Sequence, residues 1–424
     1  MKSTKWLVQI VKSIMLCLFF VLIVYQSEAQ TISLSEIYDA AEQHYPLINR
    51  TAIIKQITEE NDVKLKKAYL PILQASAQAT YQNEVTAIAG GFIAPPKKDQ
   101  YKIGLSANET LFDGGEIKAQ RDLNEVSGAI SLQQNEIDLY TVKERASTFF
   151  FTALLLNENL KITNTTLKEL QTRLASRKGA FKYGTAQESE IFSIEAEVLK
   201  IKQQITSLEE DKTSNINSLN LLTGLNLSQN ATLTYQDETK PINFNKDRPE
   251  YQFFDLQKKG FDNQLKVVNS KLLPKISLFG EANYGRPGFN FLRTDFGEFW
   301  IVGAKISWNI SSLYNKKQES NLINLQQKQV DIQSDVFSLN QSINFNRQQS
   351  NINKLEKLLT QDDEIIDLKQ KVLKASAAKL ENGTMSITDY LTDVQAEQQA
   401  EQNKALHQAR KMQSIAQLKL INGN

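Results

Sequence analysis

The sequence predicts an α+β membrane protein made of two tandem repeats, each with two strands of membrane length and a long helical hairpin. Three observations predict this fold class: an export signal, motifs that recur in the same order in both halves, and helical stretches too long for a compact globule. Only 17 glycines and 8 prolines interrupt the 424 residues, which favours long elements.

The first 29 residues have the three parts of a secretory signal peptide. An apolar run over residues 14–24 follows the positively charged Lys2, Lys5 and Lys12, and residues 27–29 have a small-x-small cleavage pattern. Eleven apolar residues are too few to span a bilayer, although an uncleaved signal anchor is the alternative. The only cysteine, Cys17, leaves with this segment, so we expect no disulfide in the exported chain.

The composition of the remaining chain restricts its partners and its location. Charge is nearly balanced, with 49 Lys and Arg against 48 Asp and Glu, so we expect no nucleic-acid partner. No apolar stretch after Gln30 reaches the roughly 18 residues of a membrane helix. The exported chain is therefore predicted to be either soluble or inserted as a β-barrel.

An internal repeat organises the chain, because corresponding residues of the two halves keep a nearly constant separation. The matched pairs are 203 residues apart near the start of each half and 199 apart further on: Pro46 and Pro249, Pro71 and Pro274, Gly104 and Gly303, Gly184 and Gly383, Gly224 and Gly423. We predict a signal peptide at 1–29, a first repeat at 30–224, a linker at 225–248 and a second repeat at 249–424.

Each repeat begins with an amphipathic helix and continues as a β-hairpin. In the first repeat Leu34, Ile37 and Ala41 mark the helix, and "LQASAQATYQ" and "YKIGLSAN" alternate apolar and polar residues. The second repeat has the same alternation around "KISLFGEANY" and "WIVGAKISWN". This predicts four strands in two hairpins.

A long helical hairpin follows each pair of strands. The stretch from Gly115 to Gly184 has no proline, so it predicts a helix of about 65 residues and about 100 Å. The second repeat has an equivalent run over residues 315–382, with Ile332, Val336, Leu339 and Ile343 at helical spacing. After Gly184 a coiled-coil seam is predicted from Ile191, Ile194, Val198, Ile201, Ile205 and Leu208.

Four strands cannot close a membrane barrel alone, since the smallest single-chain barrels have about eight. An open edge leaves backbone groups that lipid cannot satisfy, so several chains must pool their strands. Aromatic residues near the strand ends suit a membrane interface: Tyr81, Tyr101, Tyr284, Phe299, Trp300 and Trp308. A soluble sandwich is the alternative, and it fits the export signal and the helix lengths less well.

These motifs together resemble the TolC-like outer-membrane efflux channel family, or outer membrane factors, over nearly the whole exported chain. The matching residues are "ISLSEIYDAAEQHYPLI", Leu-Pro before the first strand of each repeat, "LFDGG", "YGT", "NGT" and "LLTG". The resemblance implies a homotrimer in the outer membrane, with a twelve-stranded β-barrel continued by a coiled-coil tunnel in the periplasm. It also implies a periplasmic adaptor (membrane fusion protein), an inner-membrane pump of RND or ABC type, and contact with outer-membrane lipid.

The resemblance assigns a periplasmic aperture to residues just after the hairpin tips. Asp389 matches the family's Gly-Thr-x-x-x-x-Asp pattern, and three copies would form a carboxylate ring that favours cations. Glu190 is its first-repeat counterpart. Thr392, with Asp393 adjacent, stands where some members have a second aspartate, and Met385 stands where some have arginine. How the entrance closes is therefore left open.

The tips and the strand-to-helix joint are the other predicted sites. Gly184, Thr185, Gly383 and Thr384 match positions that meet the adaptor, and they equally fit tight helix–helix turns. Asp113, Gly114 and Gly115 lie between the second strand and the long helix, where Asp113 is expected to cap the helix.

Catalytic motifs are missing from the sequence. His44 and His407 are the only histidines, and no nucleophile elbow, Walker loop or dinucleotide-binding glycine motif occurs. We therefore predict a protein that is not an enzyme and has no cofactor or metal site. The favoured function is an export duct, and a periplasmic coiled-coil adaptor without a barrel is the main alternative. The cargo, whether drugs, metal ions or secreted protein, is not readable from the sequence.

Overall fold

The computed structural model describes residues 31–85, 95–235, 242–290 and 292–423. The predicted signal peptide at 1–29 and most of the Gly- and Pro-rich loop after the first strand lie outside the described residues.

Helices and strands alternate along the described chain in two similar series. The elements are β1 (Thr31–Ser33), α1 (Leu34–His44), α2 (Ile48–Lys66), a 3-10 turn (Lys67–Tyr69), β2 (Ile72–Tyr81), β3 (Asp99–Phe112), α3 (Glu116–Lys182), α4 (Glu188–Thr223), β4 (Thr232–Thr234), α5 (Pro249–Ser270), β5 (Lys275–Arg286), β6 (Gly297–Ser307), α6 (Ser312–Glu381) and α7 (Ile387–Ile421). The four predicted strands and the two long helices are all present; α3 has 67 residues and α6 has 70.

The chain divides into two compact units. The first, here called the helical unit, contains the described residues within Met1–Ile48, Ile137–Arg248 and Leu339–Asn424. The second, the strand unit, contains Asn49–Glu136 and Pro249–Ser338. Helices α3 and α6 each contribute residues to both.

One core of the helical unit forms around α1. Ser33 caps this helix, because its hydroxyl accepts a hydrogen bond from Glu36 N while the Glu36 carboxylate accepts one from Ser33 N. The predicted apolar face of α1 is buried against residues of α3 and α4. Strands β1 and β4 pair in parallel beside it, so part of the region predicted as a linker contributes to this core.

A second core of the helical unit lies between the four long helices. The predicted seam of α4 is confirmed for Ile191, Ile194, Val198, Ile201 and Ile205, which are buried, whereas its last predicted member, Leu208, is only half-buried. They pack with apolar residues of α3, α6 and α7: Leu170, Leu373, Leu380, Tyr390 and Val394.

The strand unit contains an antiparallel sheet in the order β2-β3-β5-β6. Its register places apolar residues beside each other across all four strands, for example Ala77 with Ile103, Ile103 with Tyr284, and Ala282 with Trp300. This face is exposed in the single chain: Ile103 is 60%, Leu105 67%, Trp300 70% and Val302 69% exposed. Within the described residues β2 pairs only with β3, and β6 only with β5, so the sheet has two open edges.

The apolar stripe predicted on α6 forms part of a helix but lies on its exposed side. Ile332, Val336, Leu339 and Ile343 are each more than half exposed. In α2, Ile54 is buried whereas Ile53 and Ile57 are also more than half exposed. The apolar spacing therefore identified the helices correctly but did not show that these faces lack a partner within one chain.

Candidate functional site

The two hairpin tips of the helical unit have the same backbone geometry. Gly184 and Gly383 both adopt the left-handed conformation, with φ of 73° and 70°. The amide of Thr185 donates to the carbonyl of Ala180 at 3.0 Å, and that of Thr384 donates to the carbonyl of Lys379 at 2.9 Å.

Each tip threonine strengthens its turn with its side chain. The hydroxyl of Thr185 donates to the same Ala180 carbonyl at 3.0 Å, and that of Thr384 to the Lys379 carbonyl at 3.1 Å. All four tip residues are exposed. The Gly-Thr pair thus has a structural role in the turn and still leaves its surface open to a partner.

Asp389 lies in the first turn of α7, next to the second tip. Ser386 caps this helix: its hydroxyl accepts from Asp389 N at 3.1 Å and donates to the Asp389 carboxylate at 2.7 Å. A negative charge in the first turn of a helix also interacts favourably with the helix dipole. The side chain is exposed, so its charge remains available at the tip.

The other residues predicted for the aperture have partners inside the helical unit. Glu190 lies 3.6 Å from the buried guanidinium of Arg177, and Asp393 accepts a hydrogen bond from the hydroxyl of Ser376 at 2.6 Å. Thr392 donates its hydroxyl to the carbonyl of Thr388 in the preceding turn. Asp389 is therefore the most exposed carboxylate of the predicted set.

A polar network that the sequence did not reveal joins the two hairpins near the tips. The hydroxyl of Tyr390 donates to Glu169 Oε1 at 2.9 Å, and Arg173 forms an ion pair with Glu381 at 2.7 Å. The Arg173 guanidinium also lies over the Tyr390 ring, 5.0 Å from its centroid. Burial raises the pKa of Tyr390 to about 12, so the hydroxyl remains a donor.

Arg177 adds a second link between the hairpins. Its guanidinium donates to the backbone carbonyl of Leu380, at the end of α6, while facing Glu190 of α4. The signal for this network is an arginine pair one turn apart in α3, Arg173 and Arg177, which becomes recognisable only when the facing helices are known.

Two carboxylates of α7, Glu397 and Glu401, lie about two and three turns after Tyr390 and form a cluster with Glu169 of α3. Burial, the neighbouring Glu401 and, to a smaller extent, Glu169 together raise the pKa of Glu397 to about 7. The amide of Gln370, on α6, approaches Glu401 at 3.5 Å. Part of the charge of this cluster is therefore lost near neutral pH.

The strand-to-helix joint lies in the strand unit. The Asp113 carboxylate accepts from Gly115 N at 2.8 Å and from Ile117 N at 2.6 Å, as a helix cap does. Gly114 and Gly115 have φ of 72° and 81°, so the chain turns through two left-handed residues between β3 and α3. A Cβ on Gly114 would lie 2.8 Å from the Ser270 carbonyl, which leaves no room for a side chain.

Within the described residues, no group of three or more His, Cys, Asp or Glu side chains could hold a metal ion. In that same part of the chain, no helix is long and apolar enough to cross a membrane.

Comparisons with known proteins agree with the resemblance predicted from the sequence. Residues 37–225 match the model of the outer membrane efflux protein family. No curated protein sequence gives a significant match.

Several solved structures share the fold. The outer membrane protein VceC of Vibrio cholerae is 12% identical with a TM-score of 0.66, over 92% of this chain and 94% of that one. The outer membrane channel CmeC of Campylobacter jejuni is 15% identical, with a TM-score of 0.65 over 92% and 85%. The open-state channel MtrE of Neisseria gonorrhoeae is 15% identical, with a TM-score of 0.64 over 92% and 89%. The predicted resemblance to the efflux channel family is thereby confirmed.

Proposed function

Since residues 37–225 match the outer membrane efflux protein family and the fold is that of solved outer-membrane channels, we propose that this protein is a passive export duct of the outer membrane. It acts in a tripartite efflux or type I secretion system, where it docks a periplasmic adaptor and an inner-membrane pump. The duct itself supplies a path, and the pump supplies the energy.

The observation that carries this proposal is the sheet with one exposed apolar face and two open edges. In water such a face would favour aggregation, and in lipid the open edges would leave unpaired backbone groups. Pairing the β2 edge of one copy with the β6 edge of the next satisfies both edges and places the apolar face toward lipid. Three copies then give a twelve-stranded barrel, within the size range of closed membrane barrels.

The long helices continue this assembly on one side of the membrane. The exposed stripe of Ile332, Val336, Leu339 and Ile343 on α6 supplies an apolar face for a helix of another copy. Packed in this way, the helices of the two tandem repeats form a coiled-coil tunnel in the periplasm.

The tips form the entrance of the tunnel. Three Asp389 carboxylates in a ring attract cations, while the exposed surfaces of Gly184, Thr185, Gly383 and Thr384 meet the adaptor. The Tyr390–Glu169 and Arg177–Leu380 links hold the hairpins of one protomer together beside this entrance.

Disulfide cross-linking between the two sheet edges tests the assembly. We would replace Cys17 with Ser, place one cysteine at Ala77 in β2, and place a second in β6 at Trp300, Val302 or Ala304 in turn. Within one chain two strands separate β2 from β6, so the paired sites lie about 14 Å apart, too far for a disulfide. Oxidation of membranes is expected to give a covalent trimer for at least one pair.

Each single-cysteine variant serves as the control and is expected to give no covalent trimer. A continuous ladder of ever larger species would indicate an open filament instead of a closed ring. Monomer alone at every position, or a mature protein that needs no detergent, would contradict the proposed function.

A further inference from the structure

The end of the sheet where the strands meet the helices carries an excess of positive charge. Strands β2 and β5 begin at this end and β3 and β6 finish there, because the sheet is antiparallel. The ten residues next to each strand at this end, 62–71, 113–122, 265–274 and 308–317, contain nine cations and four carboxylates. At the opposite end, residues 82–98 and 287–296 contain three cations and two carboxylates.

Six of these lysines have no partner in the part of the chain that the structure describes. They are exposed and have neither an ion pair nor a side-chain hydrogen bond there: Lys64, Lys67, Lys118, Lys271, Lys316 and Lys317. We call this set the collar lysines. Their charge is poorly compensated, because three of the four carboxylates have other partners: Asp62 pairs with Arg121 and Lys66, Asp113 caps α3, and Glu116 pairs with Lys275.

Part of this charge lines a hollow on the surface of the strand unit. The hollow has a volume of about 740 Å³ and is lined by Lys118, Lys266 and Lys316, with the backbone of Gly114 and Gly115. Asp122 is the one carboxylate among its lining residues, and Lys266 donates to Asn263 Oδ1 at 2.9 Å. Two of its three ammonium groups therefore remain available to an anion.

Aromatic side chains at the same end indicate which ligand supplies the negative charge. The indole Nε1 of Trp308 donates to the Leu272 carbonyl at 2.9 Å, while the residue remains 53% exposed. Tyr69 and Tyr314 are also exposed, at 45% and 77%. Exposed Trp and Tyr beside an apolar sheet face are typical of the headgroup region of a bilayer.

We propose that the collar lysines bind the phosphate groups of anionic glycerophospholipids in the leaflet on the helix side of the membrane. This inference rests on the proposed function, because it requires the sheet to lie in a bilayer. Each lysine near an anionic surface adds attraction that falls off within a Debye length. The collar therefore fixes the depth of the sheet and favours phosphatidylglycerol or cardiolipin over zwitterionic lipid.

Electron paramagnetic resonance of spin-labelled lipids tests this proposal on the full trimer. The trimer would be reconstituted in phosphatidylcholine bilayers with traces of labelled phosphatidylglycerol or labelled phosphatidylcholine, and the motionally restricted fraction of each would be compared. We expect the wild-type protein to restrict phosphatidylglycerol at least about threefold more strongly. The variant with all six collar lysines changed to Gln is expected to lose this preference.

A matched control changes six other lysines of α6 to Gln and is expected to keep the preference: Lys354, Lys357, Lys369, Lys371, Lys374 and Lys379. The unmodified protein provides a second measurement, since 1 M NaCl should abolish its preference by screening. A wild type without a preference, a preference that survives 1 M NaCl, or a collar variant that keeps it would overturn the proposal. A wild type that enters no bilayer would overturn the proposed function as well, so the two failures are distinguishable.

Discussion

Tyr390 in α7 donates a hydrogen bond from its buried hydroxyl to Glu169 Oε1 in α3, at 2.9 Å, and so connects the two helical hairpins of one protomer. Arg173 lies over the Tyr390 ring and pairs with Glu381, so the same contact joins three of the long helices. The hydrogen bond is charge-assisted and shielded from water, which makes it stronger than an exposed one.

Changing Tyr390 to Phe removes this hydroxyl and leaves the ring in place. We expect a loss of about 1 kcal/mol in stability, because the Glu169 carboxylate loses a buried donor. The thermal unfolding midpoint in detergent measures the change. The control is Tyr183→Phe, since Tyr183 is 87% exposed at the first tip and should tolerate the change. Equal midpoints for the two variants would show that the link adds no stability.

The raised pKa of Glu397 predicts that the stability of the folded protein decreases as pH rises. Its folded-state pKa of about 7 lies above the ordinary value of 4.5, so the folded state binds more protons between these values. The contribution of Glu397 to the free energy of unfolding is therefore fully present below about pH 4.5 and is lost as pH rises through about 7. Because the side chain is partly exposed, we expect Glu397→Gln to stabilise by only about 1–2 kcal/mol at pH 8.

At pH 4 the same variant should be close to the wild type, because Glu397 is then protonated in both states. Thermal midpoints at the two pH values give the comparison, with Glu364→Gln as the control, since Glu364 is exposed on α6. A Glu397→Gln gain that is equal at both pH values would contradict the assignment.

Two glycines near the first tip differ in backbone conformation, so we expect Gly→Ala substitutions at these positions to have opposite effects on stability. Gly184→Ala places a Cβ on a residue with φ of 73°, and we expect a loss of about 1 kcal/mol. Gly179→Ala lies inside α3, with nothing within 4 Å of the added Cβ, and should stabilise by about 0.5–1 kcal/mol. Both can be compared by thermal unfolding, and a stabilising Gly184→Ala would refute the turn geometry.

The proposed carboxylate ring predicts a loss of ion selectivity when Asp389 is neutralised. In bilayers with a salt gradient, Asp389→Asn should move the reversal potential toward zero, because three negative charges leave the entrance. Asp367→Asn is the control, since Asp367 pairs with Lys371 in α6, more than four turns before the second tip, and should not alter selectivity. Unchanged cation selectivity in Asp389→Asn would remove the proposed role of the ring.

The sequence predicted the elements well because each has a strong local signal. Strand alternation predicted β2, β3, β5 and β6, and three-four spacing predicted the seam that buries Ile194 and Ile201. The three-residue strands β1 and β4 have no such signal, since they are formed by a pairing of residues about 200 positions apart.

The candidate functional site was only partly predictable, because local motifs can be read from the sequence whereas contacts between distant helices cannot. The tip glycines, Asp389 and the cap at Asp113 belong to local motifs, and the structure places them at turns and helix ends. The Tyr390–Glu169 and Arg177–Leu380 links depend on how two hairpins pack, which spacing along one helix does not specify. Likewise, the collar lysines became recognisable only when the register brought four strand ends together.

The central claim is that copies of this chain pool their strands into a pore, and single-channel recording tests it most directly. Purified trimer, covalently linked between β2 and β6, would be added to a planar lipid bilayer. We predict stable conductance steps that persist in the linked trimer and that favour cations. A linked trimer that gives no conductance steps, or a mature chain that stays monomeric and water-soluble without detergent, would contradict the claim.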